Sequence, residues 1–204
     1  GLLCANESLS YLTKEEKQWL QDHPVIRVAN EDDWIPFDYN IEGKPMGLAI
    51  EYADLLAQKL GISLEYINGY TWNELYEMGL NQEIDLFPCI WKTDERQPLF
   101  HFTSSYFHNP MVLVTRTFDN PIRSMADLTG KKMAYVKGYA SADLLRKTYL
   151  DLEMIEVLSS LEALLLVNIG KADAFVDSLG LVSYQLKKHA LTGLEIVSRV
   201  ELPE

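Results

Sequence analysis

The chain has 204 residues, enough for one large domain or two small ones, and 48% of them are apolar, which excludes a disordered chain. Its 30 acidic against 18 basic residues give a net charge of −12. Such a chain repels nucleic-acid phosphates and anionic membrane surfaces, so neither is expected as a partner. No run of 18 apolar residues occurs, so no segment reads as a membrane-spanning helix.

The first residues, GLLCANES, are small and apolar and then turn polar, which fits the tail of a secretory signal or an artificial remnant. The two cysteines, Cys4 here and Cys89 in an apolar segment, do not read as a structural staple. In LTKEEKQWLQDHP, Thr13 and Glu16 form a capping box and Pro24 ends the helix. VIRVA, residues 25–29, predicts a strand. GLAIEYADLLAQKLG predicts a helix with Ile50, Ala53, Leu56, Ala57 and Leu60 on one face and Gly61 at its end. ISLEYI predicts a strand, TWNELYEMGLN a helix with a box at Thr71 and Glu74, and DLFPCI a third strand. Residues 25–90 thus read β-α-β-α-β.

The pattern then restarts. KKMAYV, MIEVL and DAFVD read as strands, separated by the helices SADLLRKTYL and SSLEALLLVNIG, the second with a box at Ser159 and Glu162. LVSYQLKKH and LEIVS add a last helix and strand. Strands alternating with helices predict mainly parallel sheets flanked by helices, in two lobes. The expected division is a leader and helix over 1–24, lobe 1 over 25–115, a hinge at 116–124 holding Pro121, lobe 2 over 125–199, and the start of a return crossing at 200–204. The C-terminal part of lobe 1 is then expected to be missing.

In open α/β sheets ligands sit beyond the carboxyl ends of strands. The segments that carry function are therefore 30–37, 89–96, 137–141 and 177–180. The four histidines are scattered without metal-ligand spacing, and no phosphate loop, G-x-S-x-G or H-E-x-x-H occurs, so no metal, cofactor or catalytic motif is expected.

Those post-strand segments resemble the family 3 extracellular solute-binding proteins. The matching pieces are IRVANEDDWIPFDYNIEGKPMGLAIEYADLLAQKLG, EIDLFPCIWKTDERQPLFHFTSSYF, LTGKKMAYVKGYAS and GKADAFVDSLG, in the family's order and about its spacing. The helical leader and VKGYAS are similar to members used as periplasmic sensors of histidine kinases and GGDEF diguanylate cyclases. The resemblance implies a two-lobed periplasmic-binding-protein (Venus-flytrap) fold, a periplasmic location and a small-molecule ligand, amino-acid-like or a small carboxylate. It implies a membrane link only through a parent chain, with a homodimer possible in a receptor, and no enzymatic role for the binding module itself. A transport receptor for an ABC permease is the alternative, and a dehydratase on the same fold, with Glu31 and Asp177 as acid or base, a remote one.

The resemblance also assigns residues. In TDER, Thr93 and Arg96 match the motif whose arginine grips a ligand carboxylate, which a planar guanidinium can hold bidentately. Trp34 matches an aromatic that packs on the ligand, and Glu31 an acid near the ligand's distal end. Gly138, Tyr139, Ala140 and Ser141 form a turn at a helix N-terminus suited to an anion. Tyr106 is expected to line the hinge side or to pack in the core. Cys89 and Trp91 stand where amino-acid binders have small polar residues. Ser178 stands where an acid pairs with the ligand's α-ammonium, with Asp177 one place earlier. These departures put a standard α-amino acid in doubt.

Overall fold

The computed structural model describes residues 9–118, 121–149 and 151–201. The readings made for residues 1–8, Cys4 among them, lie outside the described residues. The chain divides into two units, Gly1–Ile90 and Trp91–Glu204.

The first unit opens with helix α1 (Lys14–Asp22). Its capping box is complete: Glu16 N donates to Thr13 Oγ1 at 3.1 Å, and Thr13 N donates to Glu16 Oε2 at 2.7 Å. Strand β1 (Val25–Ala29) is followed by a three-stranded antiparallel meander that periodicity did not announce: β2 (Asp33–Trp34), β3 (Asp38–Ile41) and β4 (Lys44–Met46). These strands are two to four residues long, too short for alternation to show. Helix α2 (Leu48–Leu60) ends at Gly61 in the left-handed conformation. It buries Ala49, Ile50, Ala53 and Ala57, while Leu56, expected inside, is exposed with Leu48, Tyr52 and Leu55. Strand β5 (Ser63–Ile67) pairs in parallel with β1, Val25 opposite Ser63. Helix α3 (Trp72–Leu80) carries the second complete box, between Thr71 and Glu74, and fully buries Leu75 against Ala29 and Ile84.

The third strand expected over DLFPCI is reduced to one parallel bridge between Val28 and Leu86. Ala29 N donates to Leu86 O at 2.9 Å and Leu86 N to Arg27 O at 3.1 Å. Two residues on, Pro88 has no N–H to extend the ladder. Asp85 is instead the partner of Arg27, Nη2 to Oδ1 at 2.6 Å.

The second unit holds β6 (Met111–Arg116), a 3-10 turn (Met125–Leu128), β7 (Lys132–Val136), α4 (Ala140–Thr148), β8 (Glu153–Val157), α5 (Ser160–Asn168), β9 (Ala174–Ser178), α6 (Leu179–Lys188) and β10 (Leu194–Val200). Its sheet runs β10-β6-β9-β7-β8. The β9-β7 and β7-β8 pairs are parallel, as the β-α-β-α-β pattern predicts, and the β10-β6 and β6-β9 pairs are antiparallel. This corrects the expected boundary. Residues 111–116 were assigned to lobe 1 and its hinge, but β6 is an inner strand of the second unit's sheet, paired on both edges. Its first five residues are all buried, as both faces of an inner strand require. One face of the sheet carries the core around Phe175, Leu164 and Val182, and the other the core around Leu113, Met133 and Leu145.

Candidate ligand-binding site

Strand β7 of the second unit ends at Val136 and α4 begins at Ala140. Gly138 makes the turn at φ 78°, a conformation only glycine adopts without strain. Tyr139 is the N-cap and offers no side-chain cap. Ala140 and Ser141 occupy the first two helical positions, where backbone N–H groups have no acceptor within the helix. Both residues are buried. The first turn of α4 therefore presents N–H groups and the positive end of the helix dipole at the sheet's carboxyl edge.

Arg96 reaches the same turn. Its Nη2 donates to Gly138 O at 3.4 Å and its Nη1 to Trp91 O at 3.2 Å. The residue is only 9% exposed, and its backbone N donates to Thr93 O at 3.1 Å and contacts Thr93 Oγ1 at 3.3 Å. Thr93 of the TDER motif thus fixes the turn that aims Arg96. Trp91 is half-buried against the core that holds Met111 and Leu113.

Strand β9 lies beside β7, with Ala134 opposite Phe175. The carboxyl end of β9, Asp177 and Ser178, is therefore next to the turn at Gly138. The chain leaves β7 through α4 towards β8 and returns through α5 to β9 on the other side. This reversal of direction between β7 and β9 is the switch point at which open α/β sheets open a crevice. Asp177 is 3% exposed, and both its oxygens are engaged: Ser160 Oγ donates to Oδ2 at 2.9 Å, and Ser178 N to Oδ1 at 2.6 Å. Ser178 is the N-cap of α6, yet its side chain caps nothing, and its buried Oγ has no partner among the described residues. Tyr106 is exposed rather than packed in a core.

In the first unit, Glu31 is buried just after β1. Trp34 is half-buried on β2, its ring tilted 52° to that of Phe37 at 5.5 Å. Glu31 N donates to Asp38 Oδ1 at 3.3 Å. Asn30 Nδ2 donates to the same oxygen at 2.7 Å and to Tyr39 O at 3.0 Å, and Asn68 Nδ2 donates to Asn30 Oδ1 at 3.1 Å. Burial pushes the Asp38 carboxyl up to about 7 against the bonds from Asn30 and Glu31, which favour its charge. Burial pushes the Cys89 thiol well up, with the Asp38 and Glu31 carboxylates adding to it. A thiol held protonated is not a nucleophile, which agrees with an inert structural role.

The two units thus gather the expected residues into two groups: Trp91, Arg96, Tyr139, Ala140, Ser141, Asp177 and Ser178 in the second, and Glu31, Trp34 and Cys89 in the first. Sequence reasoning missed Asp38, Asn68 and Ser160. The available signal for Asp38 was an acid alternating with Phe37 and Tyr39 in an apolar strand. Among the described residues no group of three or more His, Cys, Asp or Glu is placed to hold a metal, and no helix is long and apolar enough to cross a membrane.

Comparison with known proteins gives four findings. The model of the bacterial extracellular solute-binding proteins, family 3, matches residues 26–192. The virulence sensor protein BvgS of Bordetella pertussis is 29% identical over 189 residues, which cover 92% of this chain and 15% of BvgS. The solved periplasmic VFT2 domain of that protein matches with a TM-score of 0.84 at 30% identity, over 94% of this chain and 82% of the solved one. The probable amino-acid-binding protein YxeM of Bacillus subtilis is 28% identical over 179 residues, 84% of this chain and 66% of YxeM.

Proposed function

This chain belongs to family 3 of the bacterial extracellular solute-binding proteins, and we propose that it is the ligand-binding module of a membrane-linked sensor that takes a small carboxylate. Its fold is that of the periplasmic binding proteins, and the family is extracytoplasmic. The observation that carries the reading is the buried guanidinium of Arg96, held on the carbonyls of Trp91 and Gly138 at the N-terminus of α4. A charge-assisted donor and free helix N–H groups at one turn suit a carboxylate. Tyr139 covers this group, and Trp91 supplies a flat apolar wall.

Ligand binding shifts a conformational equilibrium by its differential affinity for the two states. In the longer parent protein, that shift passes to a histidine kinase or a diguanylate cyclase. The 92% coverage of this chain by a sensor protein, only 15% of which it spans, favours the sensor reading. The likeness to YxeM supports a transport receptor as the second reading. A kinase or cyclase domain in the same reading frame excludes it.

Thermal denaturation with a panel of amino acids, dicarboxylates and aromatic acids tests the site, because a ligand specific to the folded state raises the melting temperature. At least one carboxylate raises the midpoint of the wild-type protein, and Arg96→Ala abolishes the rise. A folded protein that answers to none of them, with Arg96→Ala behaving identically, sinks the reading.

A further inference from the structure

Recognition of an ammonium group inside a site calls for a carboxylate that is free to meet it, because a buried charge is stable only when paired. The carboxyl edge of β7 and β9 does not supply one. The acid it carries is Asp177, and that carboxylate is directed inwards. One oxygen accepts from Ser160 at the first position of α5, and the other accepts from the N–H of Ser178 at the start of α6. At 3% exposure it ties two helix N-termini to the strand and does not front the turn. Two nearby acids are also engaged: Glu156 on β8 with Lys137 at 3.1 Å, and Glu95, next to Arg96, with Lys147.

What the edge does offer is cationic or neutral. Arg96 and the N–H groups of Ala140 and Ser141 are donors, and they match an anion. One strand over stands the hydroxyl of Ser178, 4% exposed and without a partner among the described residues. An unsatisfied buried hydroxyl is destabilising, and a neutral oxygen at the ligand's second carbon gives it a partner. An ammonium there would face the guanidinium and the helix N-terminus, both positive.

We infer that the site takes a carboxylic acid whose neighbouring carbon carries an oxo, a hydroxyl or no substituent, in preference to the 2-amino acid of the same skeleton. The inference rests on the proposed carboxylate site and names its ligand class. Ser178 is then the specificity-determining residue, and Asp177 positions it.

Isothermal titration of the 204-residue protein with two matched series tests this: L-phenylalanine, phenylpyruvate and 3-phenylpropanoate, and L-glutamate, 2-oxoglutarate and glutarate. In at least one series the oxo or unsubstituted acid binds at least about tenfold more tightly than the amino acid, a difference of about 1.4 kcal/mol. Ser178→Asp, which sets a carboxylate beside the turn, reverses that order, while Arg96→Ala abolishes binding of every member. Should Ser178→Asp not fold, Ser178→Ala serves: it weakens the oxo acid several-fold and leaves the unsubstituted acid unchanged. An amino acid that binds the wild-type protein as tightly as its deaminated counterparts, or more tightly, overturns the inference and leaves the carboxylate site standing. No binding by any of the six acids to the folded protein overturns the carboxylate site, and the inference with it.

Discussion

Asp38 shows how one buried carboxyl sets the terms for its neighbours. It is 1% exposed, accepts from Asn30 Nδ2 and Glu31 N, and adds its charge to the forces that keep Cys89 protonated. Its carboxyl titrates at about 7 in the folded protein against 3.8 ordinarily. Between those values the folded state binds a proton that the unfolded state has released. Stability from this group is therefore fully present below the unfolded value and is lost as pH rises through the folded one, by at most about 1.4 kcal/mol per pH unit. The carboxylates of Asp85, Asp127 and Glu156 are shifted the other way by their hydrogen bonds, so their contributions vanish only at lower pH, below the ordinary carboxylate range. Asp38→Asn keeps an acceptor for Asn30 and cannot ionise. Urea denaturation at about pH 5 and about pH 8 should show a loss of stability in the wild-type protein that the variant largely lacks. Equal losses in both would show that Asp38 does not titrate in this window.

At the scale of elements, sequence signals were strongest where the cause is local. The boxes at Thr13 with Glu16 and at Thr71 with Glu74 form as expected, because their partners are three residues apart. At Ser159 only half of the box forms: Glu162 N donates to Ser159 Oγ, but the Glu162 carboxylate accepts from Leu158 N. The turn of the TDER motif is local in the same way, with Arg96 N held on Thr93. Strand partnership was not legible. Nothing in MVLVTR says that it pairs with residues 174–178 and 194–200 instead of with the strands that precede it, and so the unit boundary fell about 25 residues too late. The fate of the Asp177 carboxylate was hidden for the same reason, since Ser160 comes to it through tertiary packing. Two glycines separate local from tertiary constraint. Gly61 closes α2 at φ 72° with nothing within 4 Å of an added Cβ, so Gly61→Ala costs only the left-handed strain, about 1 kcal/mol. Gly47 sits at φ 120°, where a Cβ would lie 2.3 Å from Phe37 O, a backbone atom that cannot give way. Gly47→Ala should destabilise by about 3 kcal/mol or more in denaturant melts. Comparable costs at the two sites would mean that the close approach of α2 to the meander is relieved by a small backbone shift.

Across the whole molecule, apolar burial is unevenly shared. The second unit surrounds a five-stranded sheet with two core clusters, which include Phe175, Leu164, Leu113 and Met133 at 1% exposure or less. The first unit has a two-stranded parallel sheet extended by one bridge and a small meander, with a core cluster of Ala29, Leu75 and Ile84. Much of the apolar side of α2 is left facing solvent at Leu48, Tyr52, Leu55 and Leu56. Burial of apolar area is the main favourable term in folding, so the first unit holds the smaller share of it. Local opening free energies follow the density of buried apolar contacts and the shielding of backbone hydrogen bonds. Amides of β6, β7 and β9 should then exchange with deuterium only through the rarest openings, while those of β1 and β5 exchange through more frequent ones, with protection at least tenfold lower. Native-state hydrogen exchange at low denaturant reads this strand by strand. If β1 and β5 matched the inner strands of the second unit, the first unit would have to draw its stability from something other than its own core. The ordering also bears on the site. The candidate turn at Gly138, Arg96 and Ser178 belong to the unit with the larger core. The loop of Glu31 and Trp34 belongs to the unit with the smaller core. If the proposed site takes a carboxylate, saturation with it should raise protection little in β7 and β9, because stiff elements have little left to gain.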